Sequence, residues 1–225
     1  MQNHGFQQAE RAQLSILAKF EKPCLVWLAQ RMPQWVTSDH LTALGVLGMF
    51  CAGLSYWYAR SDRLGLLLVI FFLAVNWFGD SLDGTLARVR NLQRPRYGFY
   101  VDHVTDTFST LFLTAGMALS GYLNPAIAAG LLIAFYMLSI EVYLATYTLG
   151  TFHLSFWLFG PTELRVVLAI GNLALYLFGP WFLFFGREYR LFDVGGAVAI
   201  AGMLAVVILA TIRHTRMLYR AEPLR

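Results

Sequence analysis

The chain has 225 residues, of which 58% are hydrophobic and only 13% are charged, whereas charged residues make up about a quarter of an ordinary soluble domain. The net charge of +4 is small, and the basic residues form short clusters of the kind that flank membrane spans, which argues against nucleic-acid binding. Apolar blocks of about 20 residues recur, the length of a helix that crosses a bilayer. This composition predicts an all-α polytopic membrane protein without a second, soluble domain.

The first predicted element is a helix over about residues 8–31, in which charged residues interrupt the apolar ones. It is too polar to span a membrane, so we expect an amphipathic helix in the membrane interface, kinked or broken at Pro23. The amino-terminal region lacks the pattern of a cleaved signal peptide, and we expect insertion through the first spanning helix. Cys24 and Cys51 have no metal-ligand spacing and are expected to act as small apolar residues.

Six membrane spans are predicted after this segment. They cover Leu41–Tyr58, Leu64–Arg88, Gly98–Leu119, Pro125–Leu149, Glu163–Phe185 and Val194–Met217. Pro125 and Pro161 are interpreted as helix starts, since proline fits the first turn of a helix. The predicted organisation is an interfacial segment over residues 1–36, a six-helix membrane domain over 37–220 and a tail over 221–225.

The basic residues predict the orientation in the membrane. Six spans put both termini on one side, and that side carries 13 of the 17 Lys and Arg residues. Because Lys and Arg are enriched in cytoplasmic loops, both termini and the connector between the second and third spans are expected on the cytoplasmic side.

Four aspartates lie where the second span ends and the third begins. Asp80 and Asp83 are three residues apart, and Asp102 and Asp106 are four apart, so each pair shares one helix face. The short connector makes the two helices antiparallel neighbours, which brings the four carboxylates together. Their mutual repulsion calls for cations, and hard oxygen ligands favour Mg²⁺ or Mn²⁺. The pattern predicts a site for two divalent ions, suited to phosphoryl chemistry.

Residues beside the acids suit a phosphate ligand. Gly84 and Ala87 leave room for close approach to the helix backbone, and Arg88 can pair with a phosphate. A divalent-cation or proton-coupled transporter is the alternative. It would place polar residues across the whole membrane depth, whereas here they cluster at one end.

The whole pattern resembles the class I CDP-alcohol phosphatidyltransferase family, whose motif is D-x-x-D-G-x-x-A-R, a variable gap and G-x-x-x-D-x-x-x-D. Every fixed position is matched, with a gap of nine residues, by Asp80, Asp83, Gly84, Ala87, Arg88, Gly98, Asp102 and Asp106. The six-span layout and the interfacial helix also agree with the family. The resemblance implies a transferase of phospholipid synthesis, which moves a substituted phosphate group from a CDP-linked donor to a hydroxyl acceptor and releases CMP.

The resemblance also implies roles for individual residues. The two ions, Mg²⁺ or Mn²⁺, would be held by Asp80, Asp83, Asp102 and Asp106. The nucleotide would lie against Asp83, Gly84, Ala87 and Arg88. Asp106 is the base that the family usually suggests for the acceptor proton.

A histidine inside the motif makes the motif similar to that of one branch of the family. His103 follows Asp102 directly, as in choline and ethanolamine phosphotransferases of the eukaryotic type, where this histidine is a candidate base. Imidazole titrates near neutral pH and suits that task. The base is therefore His103 or Asp106.

The stretch from Glu141 to Glu163 is similar to the "WE-x-Y-x-T-G-T…G-P-x-E" region of the same branch, with departures in detail. It implies that Glu141 and Glu163 face a cationic headgroup, with cation–π contacts from Tyr136, Tyr143 or Trp157. For Glu163 the alternative is a charge that stabilises the start of its helix. For Glu141, an unpaired acid inside a span is costly, which favours a function.

The start of the first span, "TSDHLT", is similar to the family's "TPN-x-LT", with Ser38 and Asp39 in place of Pro and Asn. We interpret Ser38 or Asp39 as the helix cap. The donor stays open between CDP-diacylglycerol and CDP-choline or CDP-ethanolamine. The expected partners are this donor, a lipid or polar-alcohol hydroxyl and membrane lipids; family members are often homodimers.

Overall fold

A computed structural model of the protein describes residues 17–149 and 160–223. This part of the chain forms seven helices and one short hairpin. They are α1 (Ala18–Arg31), α2 (Ser38–Ala59), α3 (Leu64–Val89), α4 (Pro95–Ser120), α5 (Pro125–Leu149), α6 (Pro161–Phe178), β1 (Trp181–Phe184), β2 (Arg187–Arg190) and α7 (Leu191–Ala221). The predicted helix starts at Pro125 and Pro161 are confirmed.

Five of the described helices are long and apolar enough to cross a membrane, namely α2, α3, α5, α6 and α7. The predicted all-α class of membrane protein is therefore confirmed. The α4 helix has 26 residues, but its first half carries the charged residues of the motif and it does not join this group. The six-span layout and the interfacial position of α1 stay predictions.

The predicted fifth span is wrong at its carboxyl end. The α6 helix ends at Phe178 because Gly179 has a φ of 83° and Pro180 follows. The aromatic β1 then pairs antiparallel with β2. The turn between them has positive φ at Phe185 and Gly186, 47° and 75°, as in a tight two-residue hairpin. The prediction ran too far because the residues of β1 are as apolar as those of a membrane span.

The α1 helix packs on α3. Leu25 and Ala29 form one buried cluster with Leu82 and Leu86. Pro23 lies inside α1 and does not end it, so of the predicted kink or break the break is wrong. The proline removes a single helical hydrogen bond near the amino end, and the contact with α3 offsets that loss. The earlier part of the predicted segment, residues 8–16, lies outside the described residues.

Glycines bring α2 close to two other helices. A Cβ added to Gly79 of α3 would lie 2.5 Å from the Gly45 nitrogen, and one added to Gly116 of α4 would lie 2.2 Å from the Gly53 oxygen. The backbones are therefore in direct contact on both sides of α2, as in membrane helix pairs built on small residues. This packing corrects the expectation that α3 and α4 are direct neighbours: among the described helices, α2 packs extensively on both, and α3 and α4 do not pack extensively on each other.

The remaining helices complete the bundle. The α6 helix packs on α3, and α5 packs on both α4 and α7. A buried apolar cluster joins α2, α3 and α6 through Tyr56, Leu66 and Leu175. Five helices come together around the motif: the end of α3, the start of α2, the start of α6, and the helices α4 and α5.

Candidate active site

The carboxylate of Asp83 is buried and fixed by the first turns of α2. Its Oδ2 accepts a hydrogen bond of 2.5 Å from Thr42 Oγ1, and its Oδ1 accepts one from the Gly84 N–H. Ser38 Oγ donates to the Asp83 carbonyl at 3.0 Å. The antiparallel contact of α2 with α3 thus brings Ser38 and Thr42 to the motif and orients this aspartate.

Asp80 lies one turn earlier on α3 and is paired with an arginine of α6. Arg165 Nη2 donates to Asp80 Oδ2 at 2.5 Å, and its Nε donates to Asn76 Oδ1 at 2.7 Å. Asn76 is in turn held by the Gly45 carbonyl at 2.9 Å. Sequence reasoning missed Arg165 as a residue of the candidate site. Its signal was an arginine in the first two turns of a mostly apolar helix.

The two acids of α4 face those of α3. Asp106 experiences the charges of Asp80, Asp83, Asp102 and Arg165, and Asp83 experiences those of Asp80 and Asp102. The four carboxylates are therefore electrostatic neighbours across the gap between the two helices. We call them the acid cluster.

The chemistry of the acid cluster fits divalent cations. Four carboxylates offer the hard oxygen donors that Mg²⁺ and Mn²⁺ take, and Arg165 offsets part of their charge. Within residues 17–149 and 160–223, however, no three His, Cys, Asp or Glu side chains are arranged closely enough to hold a metal ion. The two-ion site stays a prediction.

The face of α3 beside Asp83 is open next to a guanidinium. A Cβ added to Gly84 would lie 3.4 Å from Arg88 Nη1, and Arg88 Nη2 donates to Thr85 Oγ1 at 2.9 Å. Any side chain at position 84 would narrow this space, which suits a phosphate near the backbone and the arginine. Ala87 lies on the same helix, half-buried.

His103 is held in one tautomer by the backbone. Its Nδ1 lies 2.6 Å from the Phe99 carbonyl oxygen. Because a carbonyl only accepts, the neutral ring carries its hydrogen on Nδ1 and presents Nε2 as an acceptor. The ring stacks on Phe99 with centroids 4.1 Å apart and meets the edge of Tyr143 of α5 at 4.7 Å. This is the tautomer that a general base acting through Nε2 requires.

Glu141 of α5 is paired, so the cost of an unpaired acid inside a span does not arise and no longer favours a function. Its Oε1 lies 2.6 Å from His214 Nδ1 of α7, and the two side chains are only 11% and 20% exposed. The pair ties α5 to α7. Its role toward a headgroup stays a prediction.

Glu163 is buried and holds two backbone groups. Its Oε2 accepts the Gly160 N–H at 3.0 Å and its Oε1 accepts the Leu17 N–H at 2.9 Å. The alternative of a carboxylate that stabilises its helix start is therefore confirmed, and the same group attaches the start of α1.

The cap of α2 differs from the expected one. Thr37 Oγ1 accepts from the His40 N–H at 3.4 Å, while His40 Nδ1 accepts from the Thr37 N–H at 3.2 Å. Ser38 instead contacts Asp83, and Asp39 pairs with Arg94. The prediction of Ser38 or Asp39 as the cap is wrong by one residue.

Among the aromatic candidates, Tyr136 donates from its hydroxyl to the Thr107 carbonyl at 3.1 Å. Tyr143 packs on His103 and is reached by the charge of Asp106. Trp157 lies outside the described residues. Tyr143 is thus the candidate that adjoins the acid cluster.

No family model matches the chain. Cholinephosphotransferase 1 of Danio rerio is 29% identical over 164 residues. The chain is a distant homologue of this protein. The match covers 67% of the chain and 42% of the relative, so the chain spans less than half of the relative's length. Together with the five apolar helices, the relationship supports an integral membrane protein.

Proposed function

We propose that the chain is an integral-membrane CDP-alcohol phosphotransferase of phospholipid synthesis. The observation that carries this proposal is the acid cluster, which gathers the four motif aspartates of α3 and α4 in one electrostatic neighbourhood. The homologous cholinephosphotransferase supports the same reaction class and favours it over the transporter alternative. We also propose the domain boundaries that the sequence predicts, with the membrane domain over residues 37–220.

In the proposed reaction, an acceptor hydroxyl attacks the donor phosphorus that carries the alcohol. A new P–O bond forms, the pyrophosphate P–O bond breaks and CMP leaves. Arg88 binds a donor phosphate at the open face beside Gly84, and Asp83 and Ala87 line the same slot. Two divalent ions held by Asp80, Asp83, Asp102 and Asp106 would neutralise the pyrophosphate charge.

The acceptor proton goes to His103 in this proposal. Its Nδ1 contact with the Phe99 carbonyl supports an acceptor Nε2, and a neutral imidazole takes a proton readily near pH 7. Asp106, one turn further along α4, is the second candidate for this role. Its neighbours Asp80, Asp83 and Asp102 suit it better to cation binding.

For the donor we propose CDP-choline or CDP-ethanolamine, with a lipid hydroxyl as acceptor. The relationship to a cholinephosphotransferase and the His103 position favour this chemistry over CDP-diacylglycerol. Tyr143 beside His103 is suited to a cation–π contact with the headgroup, and Glu141 lies two residues earlier on α5. The positive-inside pattern supports a site on the cytoplasmic side, and homodimers are common in the family.

The test is CMP release by the purified chain in lipid nanodiscs with Mg²⁺ or Mn²⁺. CDP-choline, CDP-ethanolamine and CDP-diacylglycerol are compared as donors. We expect turnover of the first two and loss of turnover in Asp80→Asn. The matched control is Asp62→Asn, which changes an exposed aspartate at the other end of α3. Absence of CMP from every donor would contradict the proposal.

A further inference from the structure

We propose that Arg165 is the counter-charge of Asp80 in the cation-free site, and that it yields this carboxylate when a divalent cation binds. The inference rests on the proposed function in one respect, namely that the acid cluster holds divalent ions. It adds a positioning residue from α6, outside the motif of α3 and α4.

The geometry of the Arg165–Asp80 pair would allow a cation to replace the arginine at the carboxylate. Arg165 Nη2 and Asp80 Oδ2 are 2.5 Å apart, yet the Asp80 side chain is 37% exposed while Arg165 is 14% exposed. The carboxylate can thus be approached from the open side of the cluster. The guanidinium also donates from Nε to Asn76. This second contact keeps the arginine nearby when Nη2 releases its partner.

The charges around Arg165 indicate how its removal would change the affinity of the acid cluster for cations. Arg165 acts on Asp106 as well as on Asp80, so one guanidinium offsets two members of the acid cluster. A divalent cation would take the same carboxylate oxygen and would repel the arginine at close range. Cation and guanidinium therefore compete for Asp80. Without the arginine, the cation-free cluster is less stable and its affinity for cations is higher.

The measurement is Mn²⁺ binding to the full chain in nanodiscs without nucleotide, by electron paramagnetic resonance. Arg165→Gln removes the charge, and we expect about tenfold tighter Mn²⁺ binding. Mn²⁺ should also raise the unfolding temperature of this variant more than that of the wild type. Arg165→Lys keeps the charge but not the two-donor geometry, and it should bind Mn²⁺ more weakly than Arg165→Gln. The control Arg94→Gln breaks an exposed arginine–aspartate pair and should leave Mn²⁺ affinity unchanged.

Equal or weaker Mn²⁺ binding by Arg165→Gln would overturn the inference, as would a wild-type chain that binds no Mn²⁺. If Arg165→Gln does not fold without cation, Arg165→Lys decides, because tenfold tighter binding by a variant that keeps the charge would also refute it. CMP release is not used as a readout. A chain with the expected Mn²⁺ affinities that released no CMP would therefore overturn the proposed function alone.

Discussion

Thr42 of α2 donates a hydrogen bond of 2.5 Å from Oγ1 to Oδ2 of Asp83 on α3. The contact joins residues 41 positions apart in the chain and makes the first turns of α2 part of the candidate site. It fixes the rotamer of a buried carboxylate, so the role of Thr42 is to orient Asp83.

Thr42→Val should lower CMP release about tenfold, because partners that orient ligand carboxylates typically contribute 10- to 100-fold to activity. The isosteric change removes the donor while it keeps the volume. Initial rates with saturating donor measure the effect. Thr148→Val is the control, since Thr148 donates to the carbonyl of Leu144 in its own helix. Equal losses in both variants would show that Thr42 has no specific role.

The pH dependence of turnover tests His103 as the base. A base acts when unprotonated, so the wild-type rate should fall on the acidic side, where an imidazole takes up a proton. His103→Ala should lower the rate strongly and lose this acidic limb. The measurement is kcat against pH for both proteins. A variant that kept the wild-type profile would make Asp106 the better candidate.

Glycine substitutions test the backbone contact between α2 and α4. Gly116→Ala should destabilise the protein by about 1–3 kcal/mol or more, because its Cβ would lie 2.2 Å from the Gly53 oxygen. Gly202→Ala on α7 meets no atom within 4 Å and should be neutral or stabilising by about 0.5–1 kcal/mol. Thermal unfolding of both purified variants measures the difference. Similar unfolding temperatures would contradict the close packing.

Glu163→Gln separates the structural role of this residue from a headgroup role. The amide offers one acceptor oxygen where the carboxylate offers two, so either the Gly160 or the Leu17 N–H loses its partner. We expect a loss of about 1–3 kcal/mol in stability with an unchanged KM for CDP-choline. A raised KM without a change in the unfolding temperature would instead favour the headgroup role.

Local features of this protein could be predicted from its sequence. The helix starts at Pro125 and Pro161 follow from proline's fixed φ and missing N–H. The spacing of Asp80 and Asp83 puts both on one face of α3, since helical periodicity acts over three or four residues. The hairpin after Phe178 was missed because its apolar strands have the composition of a span. The signals were Gly179–Pro180 and the glycine turn at Gly186.

Tertiary packing decided which distant groups meet. Arg165 pairs with Asp80 across 85 residues of sequence, and His214 with Glu141 across 73. Both pairings depend on how whole helices are rotated and which of them are neighbours. The Gly53–Gly116 contact, which sets α2 beside α4, has the same origin. The sequence by itself determined a membrane chain of apolar helices with four aspartates on two helix faces. Only the packing of those helices decided that α2 and α6 complete the site, because side-chain contacts between helices are set by their relative rotation and depth.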